Sequence, residues 1–129
     1  MLILTIRTDK PEAEIGLFEN SERLAYEQWQ AHRALAETIH TKIEDLLKNQ
    51  GKDWQAIEGI VCFEGPGSFT GLRIGLSVGN ALAYSLNVPI IAERGESWLA
   101  QGITQLEDGK SDKLVLPHYG SPPHITYSN

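Results

Sequence analysis

Gly65-Pro66-Gly67-Ser68-Phe69-Thr70-Gly71-Leu72-Arg73-Ile74-Gly75 is the stretch on which the fold turns. It follows a short apolar run, Gly59-Ile60-Val61-Cys62-Phe63, whose bounding glycine and charges mark a buried strand. It opens a long segment, uncharged from Ile74 to Ala92, that reads as a helix ending near Asn87-Val88-Pro89. A strand, a glycine-rich turn and a helix in that order is how α/β proteins bring backbone N–H groups to a ligand or a partner.

Three familiar uses of such a loop are excluded by spacing. A dinucleotide fingerprint needs G-x-G-x-x-G, and here the glycines stand at Gly65, Gly67 and Gly71. A P-loop needs Lys and then Ser or Thr after its last glycine, where this chain has Leu72 and Arg73. A nucleophile elbow needs glycine two residues to either side of its serine, whereas Pro66 and Thr70 flank Ser68. Ser68 therefore reads as a turn or capping residue.

The whole string at 65–75 resembles the signature of the TsaB (YeaZ) family, a subunit of the bacterial machinery that makes threonylcarbamoyladenosine beside the tRNA anticodon. The resemblance covers residues 1–106 and is strongest over 59–93. It implies an actin-like (ribonuclease H-like) lobe and a signature loop of Gly65, Pro66, Gly67, Ser68, Phe69, Thr70 and Arg73. It also implies association with a TsaD-like catalytic subunit, a TsaE-like ATPase as a further partner, and a homodimer when alone.

Composition sets the outer bounds. A chain of 129 residues supports one domain with a real core. The apolar share of 41% and charged share of 22% describe a globular protein. A formal charge of −6 disfavours direct grip on a phosphate backbone, so tRNA is expected to be met through a partner. Cys62 is the single cysteine, which excludes a disulfide framework and a thiolate cluster. The polar residues Ser77, Asn80, Ser85 and Asn87, together with Pro89, argue against a membrane span over 74–92, and no signal peptide is read at the N-terminus. The expected location is cytoplasmic.

Working outward, Leu2–Ile6, Ala13–Leu17 and Leu24–Trp29 read as three strands joined by turn chemistry at 8–12 and 19–22. Short turns make them an antiparallel meander. A first helix is expected from about His32 to Asn49, with Leu35, Ile39, Ile43, Leu46 and Leu47 on one apolar face and a stop at Gly51. Pro89–Ala92 reads as a fifth strand, parallel to the fourth because a helix crosses between them. A short third helix, capped by Ser97, is expected to end at Leu106, completing a domain over 1–106. Residues 107–129 read as a linker and tail in which Leu114-Val115-Leu116 could add a strand. The fold class is α/β: a five-stranded mixed sheet with three antiparallel N-terminal strands and flanking helices.

In the second helix Gly71, Gly75, Gly79 and Ala83 recur every four residues and form one stripe. Glycine inside a helix costs up to about 1 kcal/mol against alanine, so three on one stripe indicate close approach of another backbone. Two occupants fit: the first helix of the same chain, or another protein. With Leu72 and Leu76 beside it, the stripe is expected to be the partner interface, a choice the resemblance favours.

Chemistry is thin elsewhere. Relatives in this family read Ile-Asp-Thr-Ser at the end of the first strand, whereas this chain reads Ile6-Arg7-Thr8-Asp9. Arg7 replaces the carboxylate, and Asp9 on the same strand face would lie about 7 Å further along. His32 and His40 are eight apart, not the four that a helical metal pair requires, so no metal is expected. His32 reads as a capping or solvated residue. The expectation is a non-catalytic scaffold subunit without cofactor. The alternative is a nucleotide- or phosphate-binding ATPase lobe using the 65–71 loop, weakened by Pro66, which lacks an N–H, and by the bulk of Phe69.

Overall fold

The computed structural model describes residues 1–67 and 69–116, and of Phe69 the backbone only. The role read for Ser68, the bulk of Phe69 and the tail beyond residue 116 lie outside the described residues.

Five strands form one mixed sheet. β1 (Leu2–Arg7), β2 (Glu12–Glu19) and β3 (Glu22–Gln30) are the expected antiparallel meander, and β4 (Gly59–Phe63) and β5 (Ile90–Glu93) follow. Their order is β3-β2-β1-β4-β5, with β4 parallel to both β1 and β5. This is the expected fold class. β1 and β4 lie inside the sheet and β5 at its edge, and all three are mostly apolar and buried on both faces, as parallel strands covered on both sides must be.

Helices α1 (Leu35–Asn49) and α2 (Phe69–Leu86) cover one face, and α3 (Trp98–Glu107) covers the other. α1 presents the predicted stripe: Leu35, Ile39, Ile43, Leu46 and Leu47 are all buried. A 3-10 turn at His32–Ala34 precedes it, and His32 is exposed with no side-chain cap, which leaves the solvated reading of that histidine. α2 ends where Asn87 takes a left-handed backbone (φ 56) and Val88 N–H donates to Ala83 O at 3.0 Å. Ser97 makes no side-chain cap to α3, contrary to expectation.

The segment after α3 also differs from the linker expected there. Leu114-Val115-Leu116 forms no strand, yet Val115 is buried and bonded to Asn80 of α2, and Ser111 and Asp112 bond the outer edge of β5.

Candidate functional site: the two faces of α2

The end of β1 fixes how α2 sits. Thr8 is 2% exposed, and its Oγ1 donates to Gly71 O at 2.7 Å, tying the first turn of α2 to the sheet. A Cβ at Gly75 would overlap Thr8 Oγ1, and one at Gly79 would lie 2.6 Å from Cys62 Sγ and 3.2 Å from Ile90 Cδ1. Leu72, Leu76 and Ala83 are buried with them. The stripe Gly71, Gly75, Gly79 and Ala83 therefore faces β1, β4 and β5 of the same chain. This corrects the expected partner interface, and α1, the other occupant considered, does not fill it either. Glycine is needed because a helix with no Cβ on that line can lie directly on β-strand side chains.

The opposite face of α2 is the open one. Thr70, Arg73, Ser77, Ala81, Tyr84 and Ser85 are exposed, with Tyr84 at 90%. Between this face and α1 runs a groove of about 350 Å³ lined by Ala36, Thr70, Arg73, Ile74, Ser77 and Val78. A second hollow of about 310 Å³ shares Thr70 and Ile74 and extends it towards Lys10 and Arg33. The exposed residues are small except for Arg73 and Tyr84, so another helix can come close here. Of the predicted interface and loop residues whose side chains are described, only Thr70 and Arg73 lie exposed on this face.

Gly67 of the signature loop lies against Asp9, just past the end of β1. Gly65 is buried, while Pro66 and Gly67 are exposed, and a Cβ at Gly67 would sit 3.1 Å from Asp9 Cα. Asp9 does not continue β1, which ends at Arg7, so the strand-spacing estimate of its position is corrected. Its carboxylate turns back and takes both ends of the Arg7 guanidinium, from Nε to Oδ1 at 2.8 Å and from Nη2 to Oδ2 at 3.2 Å. That hydrogen bonding raises the Arg7 pKa further and keeps the side chain cationic. The same guanidinium lies 4.1 Å from the centre of the Phe63 ring, which packs edge-on against Trp98 at 5.7 Å. Both oxygens of the Asp9 carboxylate are thus committed to an arginine, an arrangement suited to holding the loop rather than a cation.

Elsewhere, no group of three or more His, Cys, Asp or Glu able to hold a metal occurs among the described residues. His40 is exposed and tilts against Trp54 at 6.3 Å. Burial pushes the Cys62 thiol up to about 12, so it stays protonated. No described helix is long and apolar enough to cross a membrane.

A family model described as TsaD: tRNA N6-adenosine threonylcarbamoyltransferase matches residues 29–111, well over half of the chain. The tRNA threonylcarbamoyladenosine biosynthesis protein TsaB of Haemophilus influenzae is 25% identical over 116 residues, covering 86% of this chain and 47% of that protein. A tRNA N6-adenosine threonylcarbamoyltransferase of Geotalea daltonii is 43% identical over 95 residues, covering 74% of this chain and 28% of its own length. Among solved structures, YeaZ from Pseudomonas aeruginosa superposes with a TM-score of 0.68 at 29% identity, covering 84% of this chain and 50% of that one. The chain thus spans about half the length, or less, of the relatives it matches.

Proposed function

From the premise that this chain belongs to the TsaB (YeaZ) family, within the wider family that the TsaD model describes, we propose that it is a non-catalytic partner subunit in tRNA threonylcarbamoyladenosine synthesis. It docks on a TsaD-like catalytic subunit through the outer face of α2 and the groove beside α1. A second copy takes the same face when that subunit is absent, and a TsaE-like ATPase joins the assembled pair. The observation that carries the reading is the exposed α2 face, small-residued around Arg73 and a Tyr84 that is 90% exposed. Aromatic and arginine side chains are the usual energetic anchors of interfaces. With a formal charge of −6 the chain reaches tRNA only through the complex, in the cytoplasm. The scaffold role is supported by Arg7, which occupies the strand-end position and claims Asp9.

The test is an isotherm between this protein and the TsaD-like protein of the same organism, with a tRNA mobility shift of each alone and of the pair. Association together with tRNA binding only by the pair is the expected result. A tRNA shift by this protein alone at moderate salt would overturn the claim that the partner carries the RNA contacts.

A second reading draws on the 43% identity to a named transferase: a nucleotide-binding lobe that uses the 65–71 loop. The isolated protein should not bind ATP tightly. Micromolar affinity by calorimetry, lost on Gly67→Ala, would favour that reading over the scaffold.

A further inference from the structure

The outer edge of β5 is covered by Ser111 and Asp112, largely through their side chains, before the chain turns at Lys113 (φ 65) towards α2. Ile90 N–H donates to Ser111 Oγ at 3.3 Å, and Ala92 N–H donates to Asp112 Oδ2 at 2.9 Å. One backbone pair joins them, Asp112 N–H to Ile90 O at 2.7 Å. Three residues on, Asn80 of α2 makes a two-way amide pair with Val115, donating to its O and accepting from its N–H, each at 2.9 Å. The Val115 side chain is 3% exposed in the core, whereas its neighbours Leu114 and Leu116 are 62% and 66% exposed. The fit therefore depends on identity at three positions only, a Ser-Asp-x-x-Val pattern. An edge strand offers unpaired N–H and C=O groups to any extended chain, and here the pairing is selective rather than generic.

We propose that Asn80 and the β5 edge form a binding site for a Ser-Asp-x-x-Val segment that turns at its third residue (Lys113, φ 65), and that a second copy of this chain supplies that segment by exchanging its strap. The exchange has a hinge. α3 closes with Gly109 N–H on Leu106 O, and Gly109 takes a left-handed turn (φ 78) with nothing within 4 Å of the space a Cβ would fill. Opening that turn frees Lys110 N–H from Gln105 O and Asp112 N–H from Ile90 O and withdraws Val115 from the core, and a strap from the second copy restores the same contacts. Swapping an identical element preserves every bond of the original, which makes it a low-cost route to a dimer. This association is separate from the outer face of α2.

Complementation between two full-length variants tests it. One carries Asp112→Ala and Val115→Ser, which spoils the strap and leaves the site. The other carries Asn80→Ala, which spoils the site and leaves the strap; Asn80→Asp keeps an acceptor for Val115 N–H but replaces the donor to Val115 O with a second acceptor. When an isotope-labelled copy of one is mixed with the other, native mass spectrometry should find mixed pairs in excess over chance, on the order of tenfold. Pairing through α2 ignores the strap and gives chance proportions, so such proportions overturn the proposal. As a second measurement, a fluorescent peptide spanning 110–116 should bind the strap-spoiled copy about tenfold more tightly than the parent, whose own strap competes. No binding to that copy, or binding undiminished by adding Asn80→Asp, likewise overturns it.

Discussion

The two long faces of α2 carry the same kind of residue and do opposite things. On the inner face Gly71, Gly75 and Gly79 let the helix lie on Thr8, Cys62 and Ile90 of the sheet. On the outer face Ser77, Ala81 and Ser85, also four apart, are exposed. Both stripes permit close approach, so small-residue spacing identifies where a neighbour comes near and not which neighbour it is. What separates them is the residues alongside. The inner stripe is flanked by buried leucines, and the outer one by Arg73 and Tyr84.

The largest effects should come from filling the inner face. Gly79→Leu places a branched side chain on Cys62 Sγ and Ile90, and should cost at least the upper end of the ~1–3 kcal/mol typical of overpacking. Gly75→Ala gains up to about 1 kcal/mol of helix propensity. Its methyl, however, displaces Thr8 Oγ1 from Gly71 O, a bond worth roughly 1 kcal/mol, and overpacks the contact besides. A net loss of about 1–2 kcal/mol is expected. Denaturant melts of the isolated chain decide this: a Gly75→Ala protein as stable as the parent would mean the stripe is open, and would return the interface to it.

Tyr84→Asp examines the outer face. With Tyr84 90% exposed, the isolated variant should hold its stability within about 0.5 kcal/mol. Affinity for the TsaD-like partner should fall tenfold or more, about 1.4 kcal/mol. Unchanged affinity together with unchanged stability would remove this face from the interface.

Legibility in the sequence follows how far each signal reaches along the chain. The strands and the buried face of α1 were readable because alternation and a single apolar stripe are local patterns. α2 was harder: with no charge after Arg73 and apolar residues nearly all round, its rotation about its own axis has no strong mark. A mark existed in Thr70, Arg73, Ser77, Tyr84 and Ser85, polar groups that share one side, and the glycines drew attention from it. Asp9 was placed by strand spacing, which fails once the strand has ended and an arginine two residues back recaptures the carboxylate. The strap read as a linker because Asp108-Gly109-Lys110-Ser111-Asp112 is turn chemistry. Its anchor, Asn80, lies 35 residues away, and no local pattern links the two.

The smallest effect lies beneath Gly79. The Cys62 thiol is raised from 9.0 to about 12 by burial alone, so in the folded chain it keeps its proton over a range where the unfolded chain loses it. The stability this contributes is complete below about pH 9 and is lost as pH rises towards 12, because the unfolded state binds fewer protons there. By about pH 9.5 the loss should remain under about 1 kcal/mol. Tyr26, also raised to about 12 by burial and its bond to Glu14, adds a loss of the same sign at higher pH, but it sits on β3 and survives substitution at Cys62. The comparison is therefore parent against Cys62→Ala in denaturant melts from pH 7 to pH 9.5. The two stability curves should run parallel below pH 9, and the parent should then fall faster. Curves that stay parallel throughout would mean the thiol ionises inside the folded chain, which requires water under Gly79 and an inner face looser than the contacts of Gly75 and Gly79 allow.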